Sequence, residues 1–255
     1  MIKVVSAVAF GAVAIAIAAS PAQADVYTLN SASVPNGVDV TIYDTSSSPT
    51  INGEAGEAGA ISAGVTDTTT STTSNLTVWC ADIFDALSTP ATYSLSTLSA
   101  QIGQSKYSVL DATKVNQVNA LLSAMTSGQV SATNATTSAA LQAAIWEVLF
   151  QTGDSNYNVT TGNFYIAAYN GDNVSTVESD ANQYLTYITN GTWVANSNDT
   201  VEMLYNAASD QNLIFLGVTG TGQQAQQTVP EPASMALLAT GLLGLGASRR
   251  RRARG

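Results

Sequence analysis

Histidine is absent from all 255 residues, and cysteine occurs once, as Cys80. Without imidazole the chain lacks the commonest general base and the commonest transition-metal ligand. A Ser-His-Asp set is excluded outright. A single cysteine also excludes an internal disulfide. In an exported chain, Cys80 is then an intermolecular bridge, a buried inert thiol or a reactive group. Positive charge is nearly missing from the body of the chain. All five arginines (Arg249, Arg250, Arg251, Arg252 and Arg254) crowd the C-terminus, and Lys3 sits near the start. Between them only Lys106 and Lys114 face seventeen acids from Asp25 to Asp210, an excess of fifteen negative charges. Nothing there could neutralise a phosphate backbone, so no nucleic acid partner is expected. Charged residues make up only 10% of the chain, and Ser, Thr, Asn and Gln supply the polar surface instead. There is no Gly-rich phosphate loop, so no cofactor is expected.

Both ends read as addresses. Residues 1–24 have the form of a secretory signal peptide: Lys3, an apolar run from Val4 to Ala19, and a small-x-small cleavage box at Ala22-Gln23-Ala24. Signal peptidase is the expected partner there, and an uncleaved membrane anchor is the alternative. At the other end Pro230-Glu231-Pro232 precedes an apolar run from Met235 to Ala247, followed by the arginine cluster. The run is short for a spanning helix, and the arginines would hold its end in the cytoplasm. That is the layout of a cleavable sorting signal with a membrane-stop basic cluster, and a plain tail anchor is the alternative. Residues 219–228 read as a spacer.

The body, residues 25–218, mixes two periodicities. Short strand-type runs alternate over Asp25–Asp44, most clearly at Val38–Tyr43, and occur again at Leu76–Phe84, Val201–Tyr205 and Leu213–Val218, with Trp193 grouped among the closing strands. Gly53–Gly64 reads as a flexible link or a strand pressed against another backbone, and Asp67–Ser74 as an exposed loop. Asp111 opens a helix that Gly128 stops. A second helix is expected over 139–150, capped from within 134–138 and closed by Gly153. Ser175-x-x-Glu178 has the form of a capping box for a third helix ending at Gly191. The fold class is therefore α+β: a β-sandwich or barrel with a helical insertion over about 111–191.

The candidate chemistry lies in two short stretches. Trp79-Cys80-Ala81-Asp82 sits on the expected strand, with Asp82 two residues on and pointing the same way as Cys80. Leu141-Gln142-Ala143-Ala144-Ile145-Trp146 places one carboxamide on an apolar helix. Its small neighbours allow close approach, and Trp146 lies on the same face. The hypothesis is that the Cys80 sulfur attacks the Gln142 amide carbon, expels ammonia and leaves an internal thioester. Glu147 reads as a solvent-facing or supporting acid. Asp82 with Asp85 lacks a third metal ligand, and 154–156 and 170–173 lack the spacing of a calcium loop, so no metal site is expected. Tyr157, Tyr165, Tyr169, Tyr184, Tyr187 and Tyr205 read as packing residues.

Two resemblances follow from these residues. Residues 229–255 resemble the PEP-CTERM sorting signal of Gram-negative bacteria. That implies an exosortase-type processing enzyme, transient residence in the inner membrane through the C-terminal helix, and delivery to the cell surface or extracellular matrix, often with biofilm production. Cys80 with Asp82, and Leu141, Gln142, Ala144, Ile145 and Trp146, resemble the Cys/Gln thioester domain of bacterial surface adhesins. Trp79 and Ala81 make the first motif the looser one. This second resemblance implies covalent capture of an amine-bearing surface or matrix component, with no enzymatic turnover. The alternative is a non-reactive structural protein of an exopolysaccharide or biofilm matrix. A hydrolase is the third class.

Overall fold

The computed structural model describes residues 25–152, 156–170 and 174–218. The signal peptide, the spacer, the sorting signal, Gly153, and parts of the loops at 154–156 and 170–173 lie outside the described residues. Nine strands and three α-helices are described. Strands β1 (Val26–Ser33), β4 (Ile61–Asp67), β5 (Thr72–Cys80), β9 (Leu213–Val218), β8 (Asp199–Tyr205) and β6 (Ala91–Thr97) close into a barrel in that order. A second, three-stranded sheet runs β3 (Ile51–Ala58), β2 (Val38–Asp44), β7 (Phe164–Ala168). Every recorded pairing is antiparallel. The α+β barrel with a helical insertion is thus the observed architecture. Three details were not expected: β6 has no counterpart among the strand runs read from the sequence, β7 lies inside the insertion, and β7 returns to pair with β2.

The helices follow from local chemistry. Helix α1 (Ala112–Thr126) is capped by Asp111, whose Oδ1 accepts the Lys114 N–H at 2.8 Å. Helix α2 (Ala135–Phe150) starts earlier than its apolar stripe suggests, because Asn134 Oδ1 accepts the Thr137 N–H at 3.1 Å. Every residue of α2 from Ser138 to Phe150 is buried. A helix apolar on nearly all sides belongs inside, and α2 packs against α3, α1, the three-stranded sheet and β5 of the barrel. Helix α3 (Ser175–Thr189) does not use the expected capping box. Val174 occupies the cap without a side-chain hydrogen bond, and Ser175 is already helical.

Three further readings change, and the end of β5 changes with the site described below. Residues 53–64 are neither a link nor one strand, but parts of β3 and β4 joined at a corner where Gly59 takes φ +158. Only 68–71 of the Thr/Ser tract is a turn; Thr72 onward pairs with β4. Trp193 lies outside the strands and packs its ring on Tyr184 and Tyr187 of α3.

Candidate functional site

Strand β5 ends at Cys80, four residues before the expected end at Phe84. On one side Cys80 pairs with Leu213 of β9. On the other, β4 begins at Ile61, opposite Val78, so it offers no partner to Trp79 or Cys80. A buried strand end needs partners for its N–H and C=O. Gln142 supplies both. The Cys80 N–H donates to Gln142 Oε1 at 2.8 Å, and Gln142 Nε2 donates to the Cys80 carbonyl at 2.8 Å. A carboxamide carries one acceptor and two donors, so it can stand in for a neighbouring strand's peptide group. Helix α2 delivers it from 62 residues away, and Gln142 is 0% exposed against 3% for Cys80.

The chain turns after Cys80, and this moves Asp82 off the expected same-side position. The Cys80 thiol donates to the Asp82 carbonyl at 2.7 Å, and the Asp82 N–H returns to the sulfur at 3.4 Å. Gln211 Nε2 donates to the same Asp82 carbonyl at 3.0 Å. The Asp82 carboxylate is directed elsewhere. It ion-pairs with Lys106, which also holds Asp85, and it accepts from the Phe84 N–H at 2.9 Å and Asn212 Nδ2 at 3.4 Å. Asn212 in turn donates to the Tyr107 hydroxyl at 3.1 Å and accepts the Asn206 N–H at 2.8 Å through Oδ1. This network fixes the turn that carries the sulfur.

Burial pushes the Cys80 thiol up to about 12. The hydrogen bond at Asp82 and the side chains of Trp146 and Gln211 act in the opposite sense, and the Asp82 charge adds to the rise. The Trp146 indole N–H is buried without a formed hydrogen bond. Burial lifts the Asp82 carboxyl above its usual range, against the pull of Lys106 and the Phe84 N–H. Lys106 is raised by its two carboxylates, which outweigh its partial burial. The sulfur is therefore a neutral, buried thiol turned to the Asp82 carbonyl, on the residue whose backbone clasps the Gln142 carboxamide.

The other expected residues fall as follows. Trp79, Ala144 and Ile145 are completely buried, and Trp146 nearly so. Glu147 is 0% exposed, not solvent-facing, because α2 is enclosed on every side. Its Oε1 accepts the Asn158 N–H at 2.8 Å, and burial raises its pKa to about 7. Among the described residues no group of three or more Cys, Asp or Glu is placed to hold a metal ion. Lys106, Gln211, Asn212 and Tyr107 were not anticipated. Scarcity was the available signal for Lys106, one of two cations in the body of the chain. Nothing in the spacing marks the other three.

Comparison with known proteins adds an address and a likeness. Residues 228–252 match the PEP-CTERM protein-sorting motif. The chain is accordingly an exported, surface-directed protein, and the motif implies an exosortase-type processing enzyme. Among solved structures, the chain is similar to the N-terminal thioester domain of a surface protein from Clostridium perfringens. The TM-score is 0.39 at 14% identity, over 70% of this chain and 98% of that one. A cysteine-to-alanine mutant of that domain gives 0.40 at 15% identity, over 62% and 88%. No curated protein matches the sequence. Among the described residues no helix is long and apolar enough to cross a membrane. The run Met235–Ala247 lies outside them.

Proposed function

We propose that Cys80 and Gln142 condense into an internal thioester, and that the protein is a surface adhesin capturing amine-bearing partners through it. One observation supports this above the others: both ends of the Gln142 carboxamide are clasped by the backbone of Cys80, in a site closed to water. Holding nucleophile and electrophile together replaces an encounter with an intramolecular step. The Cys80 N–H on Oε1 is placed to stabilise the negative charge that develops there during attack. In the step, Sγ bonds to the amide carbon and the C–Nε2 bond breaks. The thiol proton leaves with the amide nitrogen as ammonia. Capture reverses the logic. An amine attacks the thioester carbon, an amide forms on the Gln142 side chain, and the sulfur takes a proton. No turnover follows, so the protein is a one-shot reagent and not an enzyme.

We further infer that signal peptidase removes residues 1–24 and that the run Met235–Ala247 holds the chain transiently in the inner membrane. An exosortase-type enzyme then cuts near Pro230-Glu231-Pro232, releasing the domain to the surface or an extracellular matrix.

A second reading is a non-reactive structural protein of an exopolysaccharide or biofilm matrix. The unionised thiol, which donates to a backbone carbonyl, that of Asp82, favours it. Gln142 would then serve only to finish a strand. Methylamine separates the two: incorporation that requires both Cys80 and Gln142 supports capture, and no incorporation by folded protein leaves the structural reading.

A further inference from the structure

Cys80 and Gln142 are both buried, so neither a thiol reagent nor an amine meets them while the structure is closed. Some part of the wall must move to admit one. The sulfur shows which part. Both of its hydrogen bonds go to the backbone of Asp82, whose carbonyl accepts the thiol at 2.7 Å and whose N–H returns at 3.4 Å. From Asp82 to Ser88 the chain belongs to no helix or strand, and Ile83, Phe84 and Leu87 are only partly buried. Side chains and one backbone contact hold this segment down. The Gln211 N–H donates to the Ala86 carbonyl at 3.2 Å, Gln211 Nε2 donates to the Asp82 carbonyl at 3.0 Å, and the Ser88 hydroxyl donates to Asp210. Lys106 ties Asp82 to Asp85.

The Lys106 tie differs in kind from the others. The Asp82 side chain has no exposed surface, whereas that of Lys106 is 29% exposed. A carboxylate taken fully out of water is tolerated while its charge is matched, and Lys106 is the cation that matches it. The Phe84 N–H and Asn212 would still donate to Asp82 without Lys106, but neither carries a charge. An unmatched Asp82 regains its hydration by lifting its turn off the end of the barrel. That movement bares the sulfur, because the same residue covers it.

We propose that residues 82–88 are a lid over the Cys80 sulfur, and that the ion pair of Lys106 with Asp82 and Asp85 is the bolt that keeps it shut. Lys106 bonds to neither the sulfur nor the carboxamide, so it is a positioning residue that sets how often the site opens. As a gate on amine capture the lid rests on the thioester reading. As a cover over the sulfur it stands without that reading.

The test follows the native exported protein and its variants by intact mass. Where the chain is short by one ammonia, the rate read is methylamine incorporation. Where it carries its full mass, the rate read is alkylation of Cys80 by iodoacetamide. Lys106→Met keeps much of the hydrocarbon stem, leaves Asp82 unmatched, and should raise the rate by about tenfold or more. Adding Asp82→Asn removes the stranded charge and keeps an acceptor for the Phe84 N–H. The double variant should return to within about twofold of the wild-type rate. Each rate should stay nearly constant in urea below the unfolding transition, the mark of a local opening. An unchanged rate in Lys106→Met, a double variant as fast as the single one, or a rate that climbs in step with global unfolding overturns the lid. A full native mass with no methylamine uptake ends the capture reading alone, because alkylation still reads the lid.

Discussion

Cys80 and Gln142 are unequal partners in stability, whatever they do chemically. Both hydrogen bonds between them use Cys80 backbone and Gln142 side chain. Cys80→Ala keeps those bonds and should cost about 1 kcal/mol, from the loss of a small buried group. Gln142→Ala orphans a buried N–H and a buried C=O, and should cost about 2–4 kcal/mol. Urea titration of the two variants checks this order, and both should lose methylamine incorporation. Glu147 gives a pH signature. Burial lifts its folded pKa above the ordinary carboxyl value, to about 7. Its contribution to stability is therefore fully present below the unfolded carboxyl range and is lost as pH rises through about 7. Glu147→Gln should flatten that fall, measured as urea midpoints across the interval. The pair itself was legible because the chain has one cysteine and one carboxamide set in an apolar helix. The Lys106–Asp82–Asn212 network was not, because its members lie 24 and 130 residues from Asp82 and share no pattern.

Among the elements, the helices were read most closely, and α2 shows why. Its apolar stripe and its cap candidates are local facts that survive in any fold. Only the start moved, to the Asn134 cap, and Asn134→Ala should lower stability by about 1 kcal/mol in urea unfolding. Strands β3 and β4 were obscured because Gly, Ala and Glu carry little intrinsic strand preference. Their pairing makes them strands: the β2–β3 and β4–β5 hairpins are local, but the β1–β4 pairing joins distant stretches. The end of β5 was misplaced for the converse reason. Ala81 to Phe84 continue a β-prone composition, but the chain bends there to wrap the sulfur and to reach Lys106.

Taken whole, the molecule joins an acidic α+β domain to a surface address. The barrel presents β5 and β9 so that one strand end lies open to a helix from the insertion, and this brings together residues 62 positions apart. The address is independent of that arrangement. A chain ending before Val229 should be exported and released to the medium instead of retained at the surface, with its reactivity to methylamine unchanged. Fractionation with a mass readout follows both properties at once. The most direct measurement of the central claim is the intact mass of the native exported protein, before and after methylamine. We expect a mass short by one ammonia, then a covalent gain of one methylamine that appears together with a free thiol. A full, unchanged mass, with Cys80 titrating only after unfolding, would contradict it.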